Sequence, residues 1–443
     1  MKWVGPIVLK FGGGALADPA RVSERVRAAR REGFGVVVVT SARAGVTDLL
    51  AEVLRTPGDA SVQRRVLERL EALHRGFPEP GGIHLDRTRR VLHLVERNYP
   101  ADRPLGDRLM SQGERLAAVW LAAHLASDGI PAVPVEADHL GLITDNLYGR
   151  SSIVVAASQR HVRRGLRRIL RSGRVPVVTG FFGRSQEGRV AVLGRGGSDY
   201  SATAIGAILG ARRVELVKRE VSVYTADPRR IPEARPIRWL TYEEAEELAQ
   251  FGARVLHPLS IEPARHAGVP IVVRPLGRGG VSTTIGPANG HAPIRAITSR
   301  APLKLFHLRV AGGGQRPGIA AEVTERLAAA GVNLVTLFTS ASMLSVVVEP
   351  PAVANTARAL APMTGAAGGS RLERPRSVAL VAAIGRGVTG EVLRRAHQLL
   401  EGAEGVVASP RSISMVLPLA KERRVVRSLH RTLVERRARR SSA

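Results

Sequence analysis

The chain has 443 residues, 44% of them hydrophobic, and no cysteine, so it carries apolar surface for two or three cores, while a disulfide framework, a thiolate nucleophile and a Cys-ligated zinc are excluded. Its 66 basic against 38 acidic residues give a net charge of +28, which by itself suggests a polyanion as partner. Only Lys2, Lys10, Lys218, Lys304 and Lys421 are lysines and the arginines are spread along most of the chain, so solubility and nonspecific polyanion affinity are expected rather than nucleic-acid recognition.

No apolar run approaches the roughly 18–20 residues that cross a bilayer, and the first residues lead into a strand rather than a signal-peptide core, so a cytoplasmic protein without a membrane segment is expected. The first strand, Ile7–Lys10, ends on a lysine and runs into Phe11-Gly12-Gly13-Gly14-Ala15. Glycines there admit anionic oxygens close to backbone N–H groups, and the lysine supplies a mobile charge for phosphate. A plain turn is the competing reading. A second strand, Gly35–Thr40, closes on Ser41-Ala42-Arg43-Ala44-Gly45-Val46-Thr47. Loops at strand carboxyl ends form the ligand crevice of an α/β sheet, so Ser41 and Thr47 either bind a carboxylate or cap the next helix.

Between about 50 and 112 the apolar spacing (Val66, Leu67, Leu70, Leu73; Val91, Leu92, Leu94, Val95) predicts a mostly helical insertion over the site. Ser111-Gln112-Gly113-Glu114 then opens a helix in which Glu114 either complements the helix dipole or accepts from a substrate ammonium. Strands Ala132–Glu136 and Val175–Thr179 lead to Gly180-Phe181-Phe182-Gly183 and to Gly194-Arg195-Gly196-Gly197-Ser198-Asp199, ahead of an Ala-rich helix. Arginine offers a planar fork to a carboxylate, Gly-Gly-Ser offers backbone donors, and Asp199 either orients a lysine or metal-bound water or serves as an N-cap.

With strands Arg213–Leu216 and Pro270–Arg274, the alternation indicates an α/β domain over 1–290. The Gly-, Pro-, Ser- and Thr-rich stretch Arg278–Arg300 reads as the boundary. Beyond it, strand Leu305–Val310, helix Gly318–Ala330, strands Leu334–Thr339 and Leu344–Glu349 and helix Ala352–Leu360 are echoed by Val378–Ile384, Gly390–Leu400, Gly405–Ser409, Ser414–Leu417 and Lys421–Val434. Two βαββα units, 301–372 and 373–440, are expected.

These blocks, in this order, resemble those of aspartate kinases: Lys-Phe-Gly-Gly, Ser-Ala-x-x-Gly-Val-Thr, Gly-Glu opening a helix, and Gly-Arg-Gly-Gly-Ser-Asp-Tyr-Ser-Ala. The resemblance continues through Tyr224-Thr225-Ala226-Asp227-Pro228-Arg229, Ala234-Arg235-Pro236-Ile237 and Phe251-Gly252-Ala253-Arg254-Val255-Leu256-His257-Pro258. It implies an amino-acid-kinase-like α/β sandwich with a mainly parallel central sheet, followed by two α+β (βαββαβ-like) ACT lobes. The implied activity is transfer of the ATP γ-phosphoryl group to the side-chain carboxylate of L-aspartate, in the biosynthesis of lysine, threonine and methionine. Magnesium would be held mainly through the nucleotide phosphates. By position, Lys10 and Asp199 would be catalytic; Ser41, Thr47, Glu114, Arg195 and Ser198 would bind aspartate; and Lys10, Gly12, Gly13, Tyr224, Arg229 and Arg254 would bind the nucleotide.

An amino-acid effector at the distal lobes, near Gln315-Arg316-Pro317-Gly318 and Gly331-Val332-Asn333-Leu334, and a homodimer through those lobes are also implied. The chain departs from the family at Gly14-Ala15, where Thr-Ser is usual, and at Lys218-Arg219, where Thr-Asp is usual. Ser222 replaces a glycine and Arg254 a lysine. These departures leave a catalytically weak regulatory or amino-acid-binding paralogue as the alternative.

Overall fold

The computed structural model describes residues 5–74, 81–100, 102–219, 222–252, 256–277, 279–287, 294–310, 318–364, 370–386 and 402–435. The chain forms two compact units. The first comprises Met1–Val223, Pro236–Ala249 and Arg254–Asn289, and the second Tyr224–Arg235, Gln250–Ala253 and Gly290–Ala443.

The strands of the first unit are β1 (Pro6–Phe11), β2 (Gly35–Thr40), β3 (Ala132–Val135), β4 (Ile143–Thr144), β5 (Val175–Thr179), β6 (Phe182–Ser185), β7 (Val190–Val192), β8 (Val214–Lys218), β9 (Trp239–Thr241), β10 (Ile271–Pro275) and β11 (Thr283–Gly286). Eight of them form one sheet in the order β3-β5-β2-β1-β8-β10-β11-β9. β1 lies at its centre, parallel to both neighbours, with Lys10 opposite Val39 of β2 and Leu216 of β8. The carboxyl ends of β1, β2 and β8 therefore open on one edge. The continuous apolar runs of these strands follow from burial on both faces.

The helices are α1 (Pro19–Arg31), α2 (Val46–Arg55), α3 (Ala60–Leu73), α4 (Gly81–Asn98), α5 (Arg103–Met110), α6 (Gln112–Ser127), α7 (Ala137–Leu140), α8 (Val155–Arg171), α9 (Gly197–Leu209), α10 (Tyr242–Gln250) and α11 (Glu262–Ala267). Ile7, Leu9 and Phe11 pack with α1 and α6 in one core. Because side chains alternate along a strand, Lys10 faces away from that core, on the side where α9 packs against β1. The expected helical insertion is present as α2–α5, with its own core around Val53, Val66, Leu70, Leu92 and Leu109. Asp59 caps α3 by accepting from the N–H groups of Ser61 (2.9 Å) and Val62 (3.2 Å), the ordinary use of an acidic N-cap.

In the second unit the strands are β12 (Ala296–Arg309), β13 (Leu334–Ser340), β14 (Met343–Val348), β15 (Arg371–Leu372), β16 (Arg376–Ile384), β17 (Gly405–Ala408) and β18 (Ser412–Pro418). Among the described residues its helices are α12 (Ile319–Ala329), α13 (Val353–Leu360) and α14 (Glu422–Leu429). The two sequence repeats share a single seven-stranded sheet, β13-β14-β12-β16-β18-β17 with β15 beside β12, joined by the antiparallel β12–β16 pairing. The predicted helix Gly390–Leu400 lies outside the described residues. The stretch taken as a linker is in part strand: β11 and the start of β12 fall inside it, because the β-branched runs Thr283-Thr284-Ile285 and Ile297-Thr298 override the glycines and prolines around them.

One piece of the second unit, residues 224–235, lies in sequence between β8 and β9. Its neck is closed by Thr225 N–H on Arg235 O (2.9 Å) and Arg235 N–H on Thr225 Oγ1 (3.0 Å). Ile297 N–H donates to Thr225 O (2.8 Å), His430 Nε2 lies 2.9 Å from Thr225 Oγ1, and Arg230 donates to Glu422 (2.6 Å) and Ser299 (3.2 Å). Ala226 and Ile231 are buried in the core built by β16, β18 and α14.

Candidate active site

Four of the sequence blocks meet at the edge where β1, β2 and β8 end. The glycine loop after β1 presses on the loop after β2: a Cβ on Gly13 would stand 2.6 Å from Ala42 O, so only glycine lets the two backbones touch. The start of α6 packs on the same loop, where a Cβ on Gly113 would meet Ala42 Cβ at 2.8 Å. The end of β5 closes the other side, since Gly180 N–H donates to Thr40 O (2.9 Å) and a Cβ there would lie 2.8 Å from Ser198 Cβ.

Lys10 and Asp199, the residues expected to be catalytic, form a buried ion pair of 2.7 Å. Lys218, on the last position of β8, binds the other oxygen of Asp199 at 2.6 Å. Burial alone would raise the Asp199 carboxyl, but the two ammonium groups overcome it and hold the carboxyl at about 2. Burial lowers the Lys10 ammonium, an effect that Asp199 opposes and Lys218 reinforces. Asp199 lies in the first turn of α9 and is not its N-cap, which is Gly196 at φ 72°. The capping reading of Asp199 is thereby corrected: this turn needs a positive φ, which suits glycine. Likewise Gly45, at φ 83°, caps α2 with no side-chain hydrogen bond, so neither Ser41 nor Thr47 serves as its cap. Ser41 is half-buried and Thr47 exposed on the first turn of α2.

Glu114 is buried and accepts from Ala42 N–H at 2.9 Å. Loss of hydration raises its carboxyl to about 8, against the pull of the backbone donors and Lys10. The folded protein thus keeps a proton that the unfolded chain, with an ordinary value near 4.5, releases. This stabilising contribution is complete below about 4.5 and is lost as pH rises through 8, with a slope of at most about 1.4 kcal/mol per pH unit. Glu114→Gln is expected to flatten the fall in melting temperature between pH 5 and 8. Parallel wild-type and variant curves in thermal melts would show that Glu114 is already ionised.

Arg195 is exposed in the turn before α9, while Ser198 is buried in its first turn. Gly12 is half-buried, and a Cβ on it would lie 3.5 Å from Lys10 Nζ. Tyr224 and Arg229 lie on the 224–235 piece of the second unit, with the Arg229 side chain 90% exposed and 3.5 Å from Asp227. Arg254 lies outside the described residues.

Several residues without a role in the sequence reading also shape the site. His257 packs on Gly196, where a Cβ would come within 2.4 Å of His257 Cβ, and its Nδ1 is buried without a hydrogen-bond partner. Burial and the nearby Arg195 charge lower its imidazole, and Asp199 pulls the other way. Phe181 takes φ 74°, a conformation that strains a non-glycine residue by about 1 kcal/mol or more. It is pinned there by Phe181 N–H on Ser201 Oγ (3.0 Å) and Leu193 N–H on Phe181 O (2.8 Å). Arg115 is fully buried, bonded to Glu136 and Asp138 and stacked over Phe182. The spacing Gly-Glu-Arg gave Arg115 no distinct signal, because its partners lie some twenty residues on.

An ammonium pair around one carboxylate, backbone donors at a helix start and glycine loops make a site for an anion that carries several oxygens. The amino acid kinase family model matches residues 5–275. Over 442 residues the chain is 30% identical to an aspartokinase of Thermus thermophilus, covering 96% of this chain and 97% of that one. It is 36% identical over 217 residues to the chloroplastic aspartokinase 1 of Arabidopsis thaliana, covering 49% of this chain and 35% of that protein. The structure of E. coli aspartokinase III in complex with aspartate and ADP superposes with a TM-score of 0.82 at 25% identity over 97% of this chain and 99% of that one. Its complex with lysine and aspartate gives 0.79 at 26%, again over 97% and 99%.

Proposed function

From the premise that this chain belongs to the amino acid kinase family, and within it to the aspartokinases, we propose that it transfers the γ-phosphoryl group of ATP to the side-chain carboxylate of L-aspartate, giving 4-phospho-L-aspartate. The observation that carries this reading is the buried Lys10–Asp199 pair of 2.7 Å at the mouth of the glycine loop. It keeps an ammonium charged and fixed where a phosphoryl group can meet it.

The acceptor carboxylate is its own nucleophile, so positioning and charge neutralisation suffice and no protein base is needed. In this reading Lys10 holds the transferring group, and Gly12, Gly13 and the start of α9 donate backbone N–H groups. Arg195 takes the α-carboxylate of aspartate, with Ser41, Thr47 and Ser198 along the substrate. Glu114, kept protonated by burial, ionises when the substrate ammonium arrives. Tyr224, Arg229 and Arg254 serve the nucleotide. Both Asp199 oxygens are engaged by ammonium groups, which fits a magnesium ion held through the nucleotide phosphates rather than by this carboxylate.

The complex of the E. coli relative with lysine and aspartate supports an amino-acid effector, which this reading assigns to the second unit. A homodimer formed through that unit belongs to the same reading, as does a place in lysine and threonine synthesis. An acyl phosphate is expected as product: with MgATP and L-aspartate, hydroxylamine should trap an aspartyl hydroxamate in step with ADP release. ADP release without hydroxamate would overturn the carboxyl acceptor.

A further inference from the structure

We propose that Lys218 is a second catalytic cation of this site, gripping the transferring phosphoryl group beside Lys10 with Asp199 as their shared counter-charge. The inference rests on the kinase reading above and assigns a role to a residue at which the chain departs from its relatives.

Register places Lys218 there. β8 runs parallel to β1 with Leu216 opposite Lys10. Side chains alternate along a strand, so Lys218 projects from the same sheet face as Lys10, two positions nearer the open edge. Its ammonium lies 2.6 Å from Asp199 Oδ2, while Lys10 lies 2.7 Å from Oδ1. The Lys218 side chain is 21% exposed against 7% for Lys10, so it is the more open of the two.

Charge accounting gives the reason for a second ammonium. A buried carboxylate is balanced by one cation, and Lys10 already supplies it. With Lys218 the trio carries a net positive charge, and the adjacent Glu114 is held largely protonated at neutral pH, so it does not cancel the excess. A phosphoryl group passing between two oxygens spreads negative charge over its equatorial oxygens and is the ligand such a surplus suits. The glycine loop faces the same strand end: a Cβ on Gly14 would lie 3.9 Å from Arg219 Cβ, and Gly12-Gly13-Gly14-Ala15 offers no side-chain hydroxyl there.

In the transfer a carboxylate oxygen bonds to the γ-phosphorus and the bond from that phosphorus to the β–γ bridging oxygen breaks. ADP leaves with the electron pair. No proton is transferred, because the acceptor is already ionised. Lys218 donates N–H to the oxygens on which charge builds.

The test uses the full chain in a coupled ADP-release assay with MgATP and L-aspartate. Lys218→Met is expected to lower kcat about 100-fold, the usual cost of losing one transition-state donor, with KM for aspartate changed less than about threefold. Lys218→Arg should recover about a tenth or more of the wild-type kcat, because it restores the charge. Lys218→Gln, which retains a donor toward Asp199, should stay as low as Lys218→Met. A kcat within about twofold of wild type in the Met or Gln variant, or no recovery with Arg, overturns the proposal. Wild-type protein that releases no ADP in response to aspartate sinks the kinase reading itself, whereas an active wild type with an indifferent Lys218 sinks only this inference.

Discussion

Replacing Lys10 by alanine is expected to cut aspartate-dependent ADP release by about a thousandfold or more, mainly in kcat. Lys10 is 5% exposed at the end of the central strand, and its ammonium has been stripped of water and fixed on Asp199. A desolvated, preorganised charge acts on the developing transition state far more strongly than a hydrated one. The fold should survive the change, because Asp199 keeps Lys218 at 2.6 Å and no buried charge is stranded. The comparison is between steady-state rates of wild type and variant with matching melting curves. A variant within tenfold of wild type would place the reacting phosphoryl group away from this lysine. Lys10→Arg should also be poor, since a planar guanidinium does not reproduce a compact ammonium wedged against one carboxylate oxygen.

Asp199→Ala is expected to damage stability as well as turnover. It leaves two ammonium groups facing each other without their carboxylate, and breaking a buried pair from one side costs about 3–5 kcal/mol. The pH dependence distinguishes this cause from lost packing. Burial and Lys218 already hold Lys10 below its ordinary value of 10.5, and removal of Asp199 lowers it further. The unfolded variant then binds more protons than the folded one, so its stability climbs as pH rises toward about 10.5. Melting temperatures at pH 7 and pH 9.5 should draw closer to wild type at the higher value. An equal deficit at both would mean that the loss lies in packing. ADP release should fall at least about 100-fold, because the lysines lose their common anchor.

Much of the first unit was legible in the sequence, for identifiable physical reasons. Parallel strands buried on both faces leave β-branched runs, and the glycine, arginine and aspartate around residue 199 are costly to keep together without a ligand. The side on which Lys10 stands follows from strand alternation alone. The contact between Lys218 and Asp199 was not legible, because it depends on β8 lying next to β1, a matter of strand order rather than local pattern. His257 lay in a quoted motif, but its packing on Gly196 comes from a close approach of segments some sixty residues apart. Thr283-Thr284-Ile285 was lost among glycines because a run this short carries little periodicity, although β11 lies inside the sheet between β10 and β9. In the second unit the shared sheet was not legible: a βαββα pattern does not say whether two copies pair edge to edge.

The piece 224–235 bears on how this protein can be re-engineered. It lies between β8 and β9, yet Ala226 and Ile231 are buried among side chains contributed by residues beyond 290, and Arg230 is bonded to Glu422. A chimaera that exchanges only the C-terminal portion for that of a relative would set a foreign lining around these side chains and strand Arg230 without its acid. The unit of exchange is discontinuous, and a graft that carries 224–235 together with its distant half keeps that lining matched.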